Sequence, residues 1–211
     1  MDIRQKIEIL KEHPLFKDLE SNEMEILAER TREKNFPPKT VIIDQYEPAN
    51  AVYYIYKGLV KIYILTEEGR IIPIRVRGPM YIVGELNLFD EESTASIETI
   101  QETHTLVFTK AECRRLLIEH PSFAVNLLKM ITEKLRAANK QTKHYLSLHL
   151  RERTWHILKS LAAHFPNNEV SLSQEELSFV VGASRARVTE ILDELAAEKL
   201  IVLSRRKIRV M

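Results

Sequence analysis

Hydrophobic and polar positions alternate with three different periods along the chain. Near the start, Ile3, Ile7 and Leu10 share one helical stripe, Pro14 breaks it, and Glu23 to Arg32 carries Met24, Leu27 and Ala28 at helical spacing. Residues 2 to about 35 therefore read as short helices. From Thr40 to Phe108 the period shortens to that of strands. Thr40–Ile43, Val52–Tyr56, Val60–Leu65, Ile71–Val76, Ser96–Ile100 and Thr103–Phe108 are rich in β-branched and aromatic residues. Turn chemistry separates them, at Pro48-Ala-Asn50, Lys57-Gly58, Glu68-Gly69 and Gly78-Pro79. Several short strands at this spacing predict an all-β sandwich or roll.

From Ala111 the period is helical again. Ala124, Leu128, Ile131, Leu135, Ala138, Thr142 and Tyr145 recur in steps of four and three residues, which leaves a narrow seam of the kind that pairs with another helix. The chain holds no second long seam, so the natural partner is the same helix of a second copy, in a symmetric dimer. Phe123, Leu127 and Met130 supply another apolar edge for the β domain. A further helix, Leu150 to Phe165, groups Trp155, Leu158, Leu161 and Ala162 and ends at Pro166-Asn167-Asn168.

The last forty residues carry the most specific signal. Ser173 and Glu176 form a capping box, and Leu177, Val180 and Val181 face inward behind it. Gly182 permits a tight turn, and Ser184 caps a second helix, Arg185 to about Glu198, with Val188, Ile191, Leu192 and Leu195 as its buried stripe. At 100° per residue, Ala186, Glu190 and Asp193 then point outward, Thr189 lies beside them, and Arg185 and Arg187 flank the entry turn. A major groove admits one such helix, N-terminal turns first. Arg185 and Arg187 suit guanine or phosphate, and Glu190 suits the cytosine amino group. Leu200–Leu203 and Ile208–Val210 read as a hairpin around Ser204, Arg205, Arg206 and Lys207, a basic wing placed to grip phosphates. The series predicts a winged helix-turn-helix that binds double-stranded DNA.

Composition changes this picture little. The 211 residues are 45% hydrophobic and 29% charged, and no apolar run reaches the length of a bilayer span. The start, Met1 to Lys6, lacks the apolar centre of a signal peptide, so cytoplasmic residence without membrane contact is expected. The formal net charge is only +1, yet Ser184 to Met211 holds seven basic against four acidic residues. The lone Cys113 excludes an intrachain disulfide and a multi-thiolate iron–sulfur cluster, and it reads as a small hydrophobe. No P-loop, helical metal pair or nucleophile–base set is present, so no enzymatic activity and no metal site are expected.

The chain resembles the cyclic-AMP receptor protein/fumarate-nitrate regulator (CRP/FNR) family. The resemblance rests on Val52-Tyr-Tyr-Ile-Tyr-Lys-Gly58, Gly84-Glu-Leu-Asn-Leu-Phe89 and Ser173 to Ile201 with its Gly182-Ala-Ser-Arg185 turn, and it runs from about Leu15-Phe16 to the end. It implies an α+β protein: a cyclic-nucleotide-binding-type β-roll over 1–110, a long dimerisation helix and hinge over 111–147, and the winged helix-turn-helix over 148–211. Family members bind pseudo-palindromic operators as homodimers and often contact RNA polymerase.

The departures from that pattern bear on the signal. In cyclic-nucleotide binders of this family the segment opened by Gly84, Glu85 and Leu86 ends in Arg-Ser/Thr-Ala; the Arg neutralises the phosphate and the Glu holds the ribose. Here it ends Ser93-Thr94-Ala95, so Ser93 stands in place of that Arg, and the loop is shorter. Ala138 and Asn139 fall where the dimer helix would approach the base, and they are poorer partners than a hydroxyl pair. Cyclic AMP is therefore not expected to gate this chain, and no cofactor is predicted. Haem stays open on His104 or Cys113, although a lone His in a strand reads as an ordinary structural residue. Two regulators fit: one gated by an unidentified small molecule or haem ligand through the hinge near His144 to Leu148, and one that binds DNA constitutively. Glu190 replaces the family's Arg at one reading position, so the operator should differ as well.

Overall fold

The computed structural model describes residues 1–48, 50–89, 92–163, 165–204 and 207–211, with backbone alone at 144–146 and 166. The chain opens with two helices, α1 (Ile3–Lys11) and α2 (Ser21–Arg30). Asp2 caps α1 by accepting from the Gln5 amide, and the Gln5 side chain closes the box. The second helix stops at Arg30, because Thr31 turns extended while its hydroxyl donates to the Leu27 carbonyl at 2.7 Å. Arg32–Phe36 is then a strand, β1, where the residue pattern suggested helix as far as 35. Its polar run Arg32 to Asn35 hides the period because this is an edge strand, exposed at every position but Phe36.

The predicted strands form at β2 (Val41–Ile43), β3 (Ala51–Lys57), β4 (Val60–Leu65), β5 (Ile71–Arg77), β7 (Ser96–Thr99) and β8 (Thr103–Thr109), and Tyr81–Val83 adds β6. They make two antiparallel four-stranded sheets, ordered β1-β8-β3-β6 and β2-β7-β4-β5. Ile43, Ile55, Val60, Val83 and Ile97 fill one core of this roll. A larger core joins the roll to the helices around Phe16, whose ring stacks on Phe108 at 5.4 Å and lies 6.0 Å from Phe123.

The long helical region is two helices rather than one: α3 (Lys110–Glu119) and α4 (Pro121–Ser147). Proline cannot continue a helix but suits a first position, so Pro121 ends one segment and starts the next. Phe123 and Leu127 are buried against the roll, as their edge of the helix requires. Leu128 and Leu135 lie on the outer side, 65% and 60% exposed.

The C-terminal third comprises α5 (Leu150–Ala162), β9 (Glu169–Val170), α6 (Gln174–Val181), α7 (Arg185–Ala197), β10 (Ile201–Ser204) and β11 (Lys207–Val210). The strands pair antiparallel in the order β10-β11-β9. The core of this unit, built on Leu158, Leu177, Val188, Leu192 and Ile201, also takes in Leu59 and Val76 of the roll. Helix α6 rests on β4 and β5: the Phe179 ring meets Tyr63 edge-on at 6.1 Å, and Lys61 lies 5.0 Å from the Phe179 centroid.

Candidate DNA interface and effector cavity

The Ser173 hydroxyl accepts from the Glu176 amide and donates to the Glu176 carboxylate at 2.7 Å, so this residue is engaged as the cap of α6. Gly182 ends α6 in the left-handed region, φ 70°, and Ser184 caps α7 by accepting from the Arg187 amide. This turn leaves Arg185, Ala186, Arg187 and Glu190 exposed along one side of α7, while Val188, Ile191, Leu192 and Leu195 are buried on the other. The helix thus presents its first turns outward.

Two contacts qualify the sequence reading. The Thr189 hydroxyl faces the Arg185 carbonyl at 2.9 Å and the Gln174 side-chain oxygen at 3.2 Å, so it ties α7 to α6 instead of lying open beside Glu190. Arg187 and Glu190 form an ion pair at 2.5 Å, so guanidinium and carboxylate meet DNA as one unit. On the wing, Arg205 and Arg206 lie outside the described residues, and Lys207 pairs with Glu169 of β9 at 2.9 Å. The sequence reading missed Gln174 and also Arg151 on α5, which pairs with Glu194 of α7 and with Glu198, the C-cap of that helix. Neither shows in a periodicity count, because each bridges different helices.

The second site is a cavity of about 440 Å³ between β4, β5, the turn Glu85–Leu88, the Ser93–Ala95 segment and α4. Gly84 makes the turn possible: its φ is 86°, and a Cβ there would stand 2.7 Å from the Ala51 carbonyl oxygen. Its walls are largely aliphatic, with Ile62, Ile64, Ile74, Ile97, Leu86 and Ile131 among them. Glu85 is 7% exposed and is held by the Lys134 ammonium at 2.8 Å. The same ammonium donates to the Ile82 carbonyl at 2.6 Å and lies 4.2 Å from the Tyr81 centroid. Ser93 is buried, and its hydroxyl donates to the Ala95 carbonyl at 2.9 Å and faces the Asn87 amide. The cavity therefore offers aliphatic surface, polar groups already bonded to one another, and at one edge the Arg75 guanidinium, whose Nε is bonded to Gln141 outside it. Of the residues assigned to an effector pocket, Gly84, Glu85, Leu86, Ser93, Thr94 and Ala138 line it, whereas Asn139 is exposed and does not.

The same cavity divides the α4 seam. Ile131, Leu135 and Ala138 line it, Leu135 while 60% exposed; Ala124 is half-buried, and Leu128 and Thr142 are exposed. Lys134 escaped sequence reasoning, although a cation inside the stripe Ile131, Leu135 and Ala138 is a usable signal. His104, on β8, lies 3.4 Å from Glu102 and edge-on to Tyr56, while Cys113 is buried on α3. Burial pushes the Cys113 thiol up to about 12, which disfavours the thiolate that would bind iron, and neither residue lines the cavity. Among the described residues no helix is long and apolar enough to cross a membrane.

A roll with a cavity against a long helix, joined through that helix to a winged helix-turn-helix, defines a DNA-binding regulator with a sensor-type domain. Residues 33–120 match the cyclic nucleotide-binding domain family, and residues 152–211 match the Crp-like helix-turn-helix domain family. The chain belongs to the CRP/FNR regulators. It is 27% identical over 211 residues to a CRP-like cAMP-activated global transcriptional regulator of Mycobacterium tuberculosis, covering 96% of this chain and 94% of that one. Among solved structures it resembles the Thermus thermophilus catabolite activator protein, with 25% identity, a TM-score of 0.55 and coverage of 94% and 93%. It shares its fold with FixK2 of Bradyrhizobium japonicum, at 19% identity and a TM-score of 0.77, with coverage of 85% and 92%.

Proposed function

We propose that this regulator acts as a homodimer on a pseudo-palindromic operator and is not gated by cyclic AMP. The observation that carries this reading is the state of the polar groups in the β-roll cavity. Ser93 stands where a phosphate would need a guanidinium, and Glu85, the ribose-holding position, is bound to Lys134. A cyclic phosphate would enter with no cationic partner at Ser93 and would compete with a formed ion pair for Glu85. The M. tuberculosis relative is described as cAMP-activated, so the departure at Ser93 separates this chain from it in the signal and not in the output.

Leu128, Leu135 and Thr142, exposed at seven-residue intervals on α4, support self-association along that helix. Arg185, Ala186, Arg187 and Glu190 read bases, with Ser184 presenting the helix entry and Arg205, Arg206 and Lys207 near phosphate. The protein works in the cytoplasm with RNA polymerase as a partner and uses no haem, metal or catalytic chemistry. The aliphatic cavity favours one further reading within this architecture, gating by a small apolar molecule. Such a ligand would act on β4, which carries the Tyr63 and Lys61 contacts to Phe179 of α6.

The test begins with operators selected from a random duplex library by the purified, effector-free protein. Fluorescence anisotropy then measures affinity with and without cyclic AMP, and light scattering measures mass. We expect a dimer, operator binding indifferent to cyclic AMP, and no heat of cyclic AMP binding by calorimetry. Saturable cyclic AMP binding that tightens operator affinity would overturn the reading of Ser93. Tight ligand-free operator binding favours constitutive action over gating.

A further inference from the structure

A second system of cavities opens on a different face of α4, between the roll and the DNA-binding unit. It has two lobes of about 510 and 280 Å³ that share Arg75 and Arg77 of β5 and Ala137 of α4 as walls, and the smaller one reaches the DNA-binding unit. The larger lobe adds Lys17, Lys129 and Lys134, with Glu133 as its one lining carboxylate. The smaller adds Lys140, Arg153 and His156, with no lining carboxylate among the described residues, over a floor that includes Ile157, Leu161 and Val180.

Arg75 and Arg77 are held in place by groups other than carboxylates. Arg75 Nε donates to Gln141 Oε1 at 3.0 Å, and Gln141 Nε2 donates to the Ile74 carbonyl at 2.6 Å, which fixes the guanidinium stem. Arg77 donates to its neighbour's carbonyl, that of Val76, at 2.8 Å and lies 5.0 Å from the Tyr81 centroid. Among the described residues, no carboxylate forms an ion pair with Arg75, Arg77, Lys129 or Lys140. Both arginines are half-buried, and burial followed by the Arg77 charge pushes the Arg75 guanidinium below its ordinary value. Two half-buried like charges, two residues apart on one strand, destabilise the roll unless an anion joins them.

We propose that this cleft binds a nucleotide carrying a chain of phosphates. Arg75, Arg77 and Lys129 take the phosphates, because planar guanidinium forks match phosphate oxygens and several cations require several negative charges. The base rests on Ile157, Leu161 and Val180 beside His156. A bare phosphate leaves that apolar floor unused, and a duplex cannot enter lobes of this size. The cleft lies on the other side of Arg75, Tyr81, Ile82 and Lys134 from the β-roll cavity and shares those residues with it, so an occupant of either site bears on the other. Its walls come from β5, α4, α5 and α6, so the nucleotide stabilises the docked arrangement of the DNA-binding unit on the roll.

Titration calorimetry and thermal melting of the full-length protein test this with ATP, AMP, adenosine and inorganic pyrophosphate as probes. ATP should bind saturably and raise the melting temperature, AMP should bind at least about tenfold more weakly, and adenosine should not bind. Arg77→Ala and Lys129→Ala should each weaken ATP by about tenfold or more, one charge-assisted contact apiece. Lys129 is exposed, so its variant keeps the test valid if Arg77→Ala unfolds the roll. No saturable ATP binding at millimolar concentration overturns the proposal, as does ATP binding unchanged in both variants. Pyrophosphate as tight as ATP overturns the base seat. Operator affinity reduced in both variants in the absence of nucleotide would make the cleft a DNA surface and overturn a nucleotide site.

Discussion

Truncation of Lys134 to alanine would remove the cation that holds Glu85. The carboxylate is 7% exposed and is bound to the Lys134 ammonium at 2.8 Å, and the same ammonium satisfies the Ile82 carbonyl. Breaking a buried pair by removing one partner costs about 3–5 kcal/mol, because the remaining charge stays buried and unpaired. The Lys134 side chain is only partly buried and the neighbouring cavity has room for water, so the lower end, about 3 kcal/mol, applies. For a chain of this size each kcal/mol moves the melting temperature by about 2–4 °C, which gives a fall of about 6–12 °C. The Lys134→Met, Glu85→Leu double variant removes both charges and should recover most of the loss. Thermal melts of the wild type, both single variants and the double variant close a double-mutant cycle. A Lys134→Ala protein that melts within about 2 °C of the wild type, or a double variant no better than the sum of its singles, would refute the claim that the pair holds the cavity together.

Three further outcomes follow from the geometry. Glu190→Ala should relax operator preference at one base pair and release Arg187 from its ion pair, whereas Arg187→Ala should cost about 1–3 kcal/mol of operator affinity; selection from a random duplex library followed by anisotropy distinguishes the two. Gly182→Ala should cost about 1–2 kcal/mol, read as a lower melting temperature. Space is not its cause, since a Cβ there meets nothing nearer than the Pro73 ring at 3.8 Å, but φ is +70°. Burial, and then the Lys134 charge, push His13 from 6.5 down to about 4. Its folded value lies below its unfolded one, so stability should be full above about pH 6.5 and fall as the pH drops toward 4. Denaturant titrations across that range should show the slope, and His13→Asn, which keeps an acceptor for the Leu15 amide, should flatten it.

Much of the output end was legible because its signals are local. Ser173, Glu176, Gly182 and Ser184 act within a few residues of themselves, and the structure uses each as cap or turn. What escaped the residue pattern depends on distant chain. Arg32–Phe36 carries too little apolar character to declare a strand, and it becomes one by pairing with β8. Ile131 and Ala138 fit a dimer seam by period, yet they line the cavity, because a stripe on a helix records that a face is covered and not what covers it. The Lys134–Glu85 pair spans 49 residues of sequence, and no spacing rule reaches so far. Arg75 and Arg77 carry no local signal at all, and only the approach of α4 and α5 makes them walls of a cleft.

The sharing of Leu59 and Val76 with the core of the DNA-binding unit has a consequence for how that unit can move. Both side chains belong to the roll and are nearly inaccessible to water, at 2% and 5% exposure. A small rotation of the head would separate them from Leu158 and its neighbours without giving either surface a new partner. Intermediate orientations are therefore penalised, and the head either sits on the roll or leaves it. Calorimetric unfolding should show one endotherm for the whole chain, and any response to a signal should be a switch between two populations.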